Sequence, residues 1–246
     1  MNPIGVVICN YNKKDFVLQC VQSVLESKEK NFDIYVVDNA SSDGSAEALK
    51  KAYGNRITVI ENKENLGGSG GFNTGLRIVR DKGYSYFMCL DDDAAVDENA
   101  LSVLYHYMEE HTDTGMAGCR VYHTQMSDYI QQSGLLIDFD NCTAKTIGAD
   151  MPEDGSLPDV IECDTVATCA VMVRADTVKQ KGVGIMPEDN FIYWDDMEWG
   201  YRIKLAGYRV VTLAEAKALH QMGANTKKEN TCLLYTSPSP RDRSVS

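Results

Sequence analysis

The run YSYFMCLDDD at residues 84–93 joins an apolar segment to three adjacent carboxylates. Its apolar part predicts a β-strand, which places Asp91, Asp92 and Asp93 together at the end of that strand. Like charges on neighbouring residues repel one another, and Mg²⁺ and Mn²⁺ prefer carboxylate oxygens as ligands. A solvated turn is the alternative, because Asp is also common in turns. The triplet alone favours neither interpretation.

Strand-like and helical segments alternate along the first half of the chain. The predicted strands are 4–9, 34–37, 57–60 and 84–90, and the predicted helices are 16–25, 46–53, 72–79 and 99–110. This alternation is typical of βαβ units, so we predict an α/β fold with a mostly parallel central sheet flanked by helices. Ligands bind such sheets at the carboxyl ends of the strands, where the aspartate triplet lies.

The second half of the chain is less regular. Short β-like pieces between 118 and 157 are followed by a predicted strand at 165–173, a helix at 195–205 and a last strand at 208–213. No stretch reads as a linker between domains, so we predict one domain over residues 1–231. Residues 232–246 are rich in Ser, Pro and Arg, and we predict that they form a non-native or disordered tail.

The composition excludes some classes of protein. The chain has 246 residues and a net charge of −12, and this acidity disfavours a nucleic-acid partner. No stretch reaches the roughly 18 apolar residues that span a bilayer, and no signal peptide is evident before the first strand. The cysteines include no C-x-x-C pair, which favours reduced thiols. These features predict a cytoplasmic protein without a transmembrane segment.

Two further segments carry groups that suit a nucleotide. Asp38 ends the strand-like run at 35–38, where its carboxylate can accept from a ribose hydroxyl or a base N–H, although a capping role in a turn is the alternative. The run ENLGGSGGFNTG at 64–75 precedes a predicted helix, and its glycines let the backbone approach phosphate groups. A flexible loop is the alternative there, and a dinucleotide-binding loop is a weaker one.

Carboxylates also open the predicted helix in the run FIYWDDMEW at 191–199. A helix N-terminus favours anions, so Asp195 and Asp196 are expected to stay ionised near neutral pH. An ionised carboxylate can act as a general base. The flanking Trp194 and Trp199 suit the C–H face of a sugar ring. Helix capping, with the tryptophans in the core, is the alternative.

The order of these elements resembles that of the family 2 glycosyltransferases with the GT-A fold, over residues 4–222. The matching elements are NYN at 10–12, VDNAS at 37–41, NLGG at 65–68, DDD at 91–93, WDDxE at 194–198 and His220. The DDD and WDDxE elements look most like those of galactofuranosyltransferases and related rhamnosyltransferases. A lone histidine near a strand end is more often structural, so His220 is singled out by this order alone.

The resemblance implies roles for several of the matching residues. Asp91, Asp93 and His220 would hold Mn²⁺ or Mg²⁺, which bridges the diphosphate of a nucleotide-sugar donor. Asp196 would be the catalytic base, with Asp195 beside it. The donor pocket is expected to be formed by Tyr11, Asp38, Asn65, Gly67, Asp92 and Trp194. Residues 1–117 would form the nucleotide-binding half, and residues 118–231 the acceptor and catalytic half.

The predicted activity is a metal-dependent, inverting transfer of galactofuranose or rhamnose from a UDP- or dTDP-linked donor. The expected acceptor is a glycan or lipid-linked glycan in cell-surface polysaccharide synthesis, with peripheral association at the inner face of the cell membrane. No residue is clearly placed as a second nucleophile, which favours a single displacement. Two alternatives stay open: a nucleotidyltransferase, and a nucleotide-sugar- or carbohydrate-binding module without activity.

Overall fold

The computed structural model describes residues 3–141, 143–189, 191 and 194–221. Within these residues the helices are α1 (Lys14–Glu26), α2 (Ser45–Tyr53), α3 (Gly67–Lys82), α4 (Ala100–Glu110) and α5 (Asp195–Leu205), with 3₁₀ turns at Gly54–Arg56 and Thr177–Lys179. The strands are β1 (Ile4–Asn10), β2 (Phe32–Asp38), β3 (Thr58–Glu61), β4 (Tyr86–Asp91), β5 (Ala94–Val96), β6 (Thr114–His123), β7 (Met126–Gln132), β8 (Leu135–Asp138), β9 (Thr143–Thr146), β10 (Met151–Pro152), β11 (Val160–Glu162), β12 (Ala170–Arg174) and β13 (Arg209–His220).

The central sheet runs in the order β10-β7-β6-β12-β4-β1-β2-β3. Strands β3, β2, β1 and β4 are parallel to one another, whereas β12 is antiparallel to both β4 and β6. Strand β13 lies parallel to β6 and antiparallel to β5, so that His220 pairs with Ala94. This pairing brings the end of β13 next to the residues that follow β4.

Helices cover both faces of the sheet. Along β1, Ile8 packs into the cluster that includes helices α1, α2 and α4, whereas Val7 packs into the cluster that includes α3 and α5. The alternation follows from the two-residue repeat of a strand, and both faces are apolar because both are covered. The predicted α/β class, with parallel central strands flanked by helices, is confirmed.

Three predicted element boundaries are wrong. The glycine-rich segment is not a loop before a helix, because α3 already begins at Gly67. Glycine is required in this helix where a Cβ at Gly71 or Gly75 would overlap the side chains of Cys9 and Val7 on β1. Strand β12 begins at Ala170 rather than at residue 165, and the last strand continues to His220 rather than ending at residue 213.

Other predictions concern the termini, the cysteines and the membrane. The predicted tail at 232–246 lies outside the described residues. Cys20, Cys89 and Cys169 are unpaired and buried, and Cys9 is unpaired and partly exposed. Among the helices of the described residues, none combines the length and the apolar character that crossing a bilayer requires.

Candidate active site

A cleft of about 630 Å³ lies where the carboxyl ends of β1 and β4 meet the ends of α5 and β13. Of the predicted site residues, those that line it are Tyr11, Asn65, Gly67, Asp91, Asp92, Asp93, Trp194, Asp195, Asp196 and His220. Asp38 is the predicted site residue that does not line it. Residues more than 200 positions apart in the chain therefore meet in one place.

A group of metal-ligating side chains occupies one wall of the cleft. The ligand atoms of Asp91, Asp93 and His220 all lie within 4.8 Å of one another. His220 Nε2 is 3.2 Å from Asp93 Oδ1 and 3.7 Å from Asp91 Oδ2. Carboxylate oxygens and an imidazole nitrogen are a donor set that suits Mn²⁺, and the carboxylates also suit Mg²⁺. The residues present thus fit the predicted divalent cation.

The pKa values in this group reflect burial and neighbouring charge. Burial raises the pKa of Asp91 above its ordinary value. Burial also opposes ionisation of Asp93, but its contacts with His220 and Lys13 outweigh that cost and hold its pKa below the ordinary value. Although burial lowers the pKa of His220, the hydrogen bond and charge of Asp93, together with Asp91, raise it overall. Asp93 is therefore the most firmly ionised of these carboxylates.

Lys13 is a cleft residue that the sequence analysis missed. Its Nζ lies 2.6 Å from Asp93 Oδ2 and 3.1 Å from Asp92 Oδ1. The other oxygen of Asp92 accepts a hydrogen bond of 3.0 Å from the backbone N–H of Tyr11. Burial raises the pKa of Asp92 to about 7. The mutual repulsion of the triplet was a signal that a nearby basic residue is needed, and the turn after β1 supplies it.

Asp38 lies beneath the cleft instead of in its wall. Its side chain accepts from Asn10 Nδ2 at 2.8 Å and from the backbone N–H of Ser41 at 3.0 Å. The next residue, Asn39, lines the cleft in its place. Asn39 Nδ2 donates to Asn65 Oδ1 and to the carbonyl oxygen of Gly67, each at 2.9 Å. Asn39 thus joins the end of β2 to the start of α3.

The start of α3 contacts the segment that precedes α5. Gly67 has φ +75°, and a Cβ there would overlap the carbonyl oxygen of Phe191. The same oxygen accepts a hydrogen bond of 2.9 Å from the N–H of Gly68. Gly67 therefore allows two parts of the cleft wall to approach one another, which explains a glycine at this position.

A second acidic group, Asp195 and Asp196, opens α5 on the other side of the cleft. Burial raises the pKa of Asp195 to about 6 and that of Asp196 to about 7, the charge of Asp195 adding to the second shift. The expectation that the helix N-terminus keeps both ionised near neutral pH holds for most of Asp195 at pH 7, but it is wrong for Asp196, because desolvation outweighs the helix dipole there. Thr165, which the sequence analysis missed, donates to the carbonyl oxygen of Asp196 at 2.7 Å.

The two tryptophans of this segment have different surroundings. Trp194 lines the cleft and is 57% exposed, with φ +69°. Trp199 is fully buried in the core, and its Nε1–H donates to the carbonyl oxygen of Gly184 at 3.1 Å. Trp194 is therefore free to contact a ligand, whereas Trp199 fixes α5 against the sheet.

Solved structures of known proteins share this fold. The mannosyltransferase PcManGT from Pyrobaculum calidifontis, in complex with GDP-Man and Mn²⁺, matches 91% of the chain with a TM-score of 0.65 at 16% identity. GalNAc-T7 with UDP, GalNAc and Mn²⁺ matches 89% of the chain with a TM-score of 0.69 at 14% identity. The chain covers 58% of the first structure and 43% of the second. At such identities the likeness concerns the fold.

Curated relatives share part of the sequence. The teichoic acid poly(glycerol phosphate) polymerase of Staphylococcus epidermidis is 26% identical over 146 residues, which are 57% of this chain and 19% of the relative. The Escherichia coli enzyme WfaP, a UDP-Glc:alpha-D-GlcNAc-diphosphoundecaprenol beta-1,3-glucosyltransferase, is 30% identical over 109 residues, which are 44% of this chain and 42% of the relative. The chain thus spans less than half the length of either relative.

The sequence profile described as Glycosyl transferase family 2 matches residues 5–171, more than half of the chain. The matched range contains β1 to β4, the aspartate triplet and most of the cleft wall described above. The resemblance inferred from the motifs is confirmed at this level, whereas the galactofuranosyl or rhamnosyl type stays a prediction. The chain belongs to glycosyl transferase family 2 and has the GT-A fold.

Proposed function

We propose that this protein transfers a sugar from a nucleotide-diphosphate donor to a glycan or lipid-linked glycan in cell-surface polymer synthesis, with a divalent cation and inversion at the anomeric carbon. One observation carries the proposal. A set of metal-ligating side chains, Asp91, Asp93 and His220, shares a single cleft with a separate pair of carboxylates, Asp195 and Asp196. The first group suits a leaving diphosphate, and the second suits an acceptor hydroxyl.

The donor diphosphate belongs on the wall formed by the aspartate triplet. Asp91, Asp93 and His220 would hold Mn²⁺ or Mg²⁺, and Lys13 adds a positive charge at the same wall. When bound, such a cation neutralises negative charge on the leaving nucleoside diphosphate as a Lewis acid. Structural neighbours solved with GDP-Man and Mn²⁺, or with UDP and Mn²⁺, support this placement.

The nucleoside fits the part of the cleft between β1 and α3. Tyr11, Asn65 and Gly67 line it, and the backbone N–H of Tyr11 orients Asp92. We assign Asp38 an indirect role here, because its oxygens hold Asn10 and Ser41 beneath the pocket. A UDP- or dTDP-linked donor is proposed for this space.

Asp196 is the proposed general base. Burial raises its pKa to about 7, and a base works best when its pKa lies near the working pH. Asp196 takes the proton from the acceptor hydroxyl as that oxygen attacks the anomeric carbon from the face opposite the diphosphate. One such displacement inverts the configuration. Asp195, with a pKa of about 6, keeps a second carboxylate beside the base, and Trp194 offers an exposed ring to a sugar.

Galactofuranose and rhamnose are the sugars that the motif resemblance favours. The names of relatives and neighbours, which refer to UDP-Glc, UDP-GlcNAc and GDP-Man, widen the set of donors to be tried. A cytoplasmic location, with the acceptor presented at the membrane surface, follows from a lipid-linked acceptor and forms part of the proposal.

Donor binding and product analysis test the proposal together. The full chain is screened by thermal shift against UDP-, dTDP- and GDP-sugars with and without Mn²⁺, since a ligand that binds the folded state raises Tm by mass action. We expect one nucleotide class to stabilise the protein only when Mn²⁺ is present. Donor turnover should then release nucleoside diphosphate. Release of pyrophosphate would indicate a nucleotidyltransferase, and binding without turnover of any donor would indicate a binding module.

A further inference from the structure

Gln131, a residue on β7, contacts His220 at two points. Gln131 Oε1 lies 2.7 Å from the ring nitrogen Nδ1 of His220, and Gln131 Nε2 donates to the backbone carbonyl oxygen of His220 at 3.3 Å. The glutamine side chain is buried, with 8% exposure. A buried amide held at both ends has one orientation available to it.

The hydrogen-bond chemistry of these groups fixes the position of a proton. A backbone carbonyl oxygen only accepts, so the amide NH₂ of Gln131 faces it and the amide oxygen faces the ring. That amide oxygen also only accepts, so Nδ1 of His220 must carry a hydrogen. The other ring nitrogen, Nε2, lies 3.2 Å from Asp93 Oδ1 and donates to it while the ring is protonated. A cation that displaced this hydrogen would leave the hydrogen on Nδ1 in place.

The strand pairing explains why Gln131 reaches the histidine. In the pairing of β6 with β7, Val121 lies opposite Gln132 and Tyr122 lies opposite Ile130, so Gln131 is an extra residue on β7. Such a β-bulge turns a side chain out of the regular alternation of the strand, and bulges are frequent beside active sites. This irregularity is a second observation, independent of the hydrogen bonds.

We propose that Gln131 is a positioning residue that holds His220 in the Nδ1–H tautomer and aims its Nε2 at the cation site formed with Asp91 and Asp93. The proposal rests on the metal-dependent function argued above. An outer partner on the distal nitrogen of a metal-ligating histidine fixes its tautomer and its ring orientation, and this is the role that Gln131 fills. Gln131 itself does not touch the cation or the substrate.

The tautomer can be observed directly in the unsubstituted full chain. Two-bond ¹H–¹⁵N spectra of ¹⁵N-histidine-labelled protein, recorded with saturating Zn²⁺, a diamagnetic ion that binds carboxylate and imidazole groups, show which ring nitrogen keeps its hydrogen. The chain has only 4 histidines, and His220→Gln identifies the relevant signals. We expect the Nδ1–H pattern for His220. An Nε2–H pattern would overturn the proposal, whether or not the protein transfers sugar.

Substitution of Gln131 provides the second measurement. Gln131→Leu should weaken binding of Mn²⁺ alone, measured by electron paramagnetic resonance of the free ion, by about 10- to 100-fold. Gln131→Glu should restore most of the affinity, because its carboxylate still accepts from Nδ1–H. Gln180→Leu is the control, since Gln180 contacts Asp176 and Tyr208 outside the cleft.

Each outcome separates this proposal from the proposed function. A folded Gln131→Leu protein with unchanged Mn²⁺ affinity would overturn the positioning role, even in an active transferase. The expected tautomer and Mn²⁺ affinities in a protein without transfer activity would support Gln131 and contradict the function. If Gln131→Leu does not fold, the tautomer of the unsubstituted protein decides the question.

Discussion

Asp93 and the pair Asp195 and Asp196 lie in one cleft but have opposite electrostatic surroundings. Asp93 contacts the basic side chains of Lys13 and His220, and its pKa lies below the ordinary value although it is buried. Asp195 and Asp196 pair with no basic side chain among the described residues, and burial raises their pKa values to about 6 and 7. Asp93 is thus kept as an anion on one wall, whereas Asp196 on the other wall is able to gain and lose a proton near neutral pH.

The difference shows how one cleft supports two kinds of chemistry. A carboxylate that holds a cation works best when it is ionised, and for Asp93 the neighbouring positive charges favour this state. A carboxylate that must accept a proton works best with a pKa near the working pH, and burial without a partner produces it. Each of the following predictions removes one side of this contrast.

The largest effect is expected when the anion of Asp93 is lost. Asp93→Asn keeps the shape but removes the charge that faces both Lys13 and His220. We expect Mn²⁺ binding to be lost and kcat/KM to fall roughly 10⁴-fold or more, which corresponds to several kcal/mol of transition-state stabilisation. Metal binding and donor turnover are measured in parallel. The exposed Asp81→Asn is the control, and unchanged Mn²⁺ affinity in Asp93→Asn would remove the metal assignment.

The second-largest effect is expected when Asp196, on the opposite wall of the cleft, is replaced. Asp196→Asn should lower kcat by about 10²- to 10⁴-fold and leave the affinities for Mn²⁺ and nucleotide unchanged, because only proton transfer is removed. Glu198→Gln is the matched control, since Glu198 lies in the same helical turn and pairs with Arg202. Full activity in Asp196→Asn together with loss of activity in Asp195→Asn would transfer the role of base to Asp195.

The pH dependence of turnover should show the ionisation of Asp196. The base must be ionised to accept a proton, so kcat at saturating Mn²⁺ and donor should fall as the pH decreases below about 7, the pKa of Asp196. The decrease should be about tenfold per pH unit. The residual activity of Asp196→Asn should lack this acidic limb. A rate in the unsubstituted enzyme that does not change between pH 5 and pH 8 would contradict the assignment.

A smaller effect is expected for Lys13. Lys13→Met removes a positive charge from the cleft wall that is formed by the aspartate triplet. We expect the affinity for UDP or dTDP at saturating Mn²⁺ to fall about tenfold, which is roughly 1.4 kcal/mol of binding free energy. Calorimetry measures the change. Lys14→Met is the control, because Lys14 Nζ contacts the carbonyl oxygen of Asp43 outside the cleft. Equal nucleotide affinities in the two variants would exclude Lys13 from the donor site.

The smallest effect concerns stability. The folded-state pKa of Asp196, about 7, lies above the ordinary pKa of an aspartate, about 3.9. The folded state therefore binds more protons between these pH values and loses stability as the pH rises through that window. Asp196→Asn should therefore raise Tm at pH 8 by about 4 °C or more, and by less at pH 5, with about 2–4 °C expected per kcal/mol. Tm is measured without metal or nucleotide, beside Glu198→Gln. A Tm difference that does not vary with pH would contradict this explanation.

The sequence predicted best what depends on local pattern. The strand before Asp91 and the helix that begins at Asp195 follow from apolar periodicity, and parallel strands bring their carboxyl ends to one edge. The place of His220 beside Asp93 depends on the pairing of β13 with β5, which no local pattern encodes. Only the order of motifs indicated it.

What the sequence could not predict depends on side-chain direction and on solvent. Asp38 was expected in the donor pocket, but its oxygens face Asn10 and Ser41. This direction of the side chain depends on tertiary contacts. The raised pKa of Asp196 reflects its burial, which its position at a helix start does not disclose. The contact of Gln131 with His220 depends on a bulge in β7, which a sequence pattern does not disclose.

Strand β12 has a consequence for synthesis on the ribosome. Residues 170–174 pair with β4 on one side and β6 on the other, so both of these strands keep an open edge until the polypeptide has grown past Arg174. An open edge can pair with another nascent molecule and aggregate. The first 117 residues, although they contain the aspartate triplet, are therefore a poor choice for expression as a separate fragment, and a usable fragment must extend beyond residue 174.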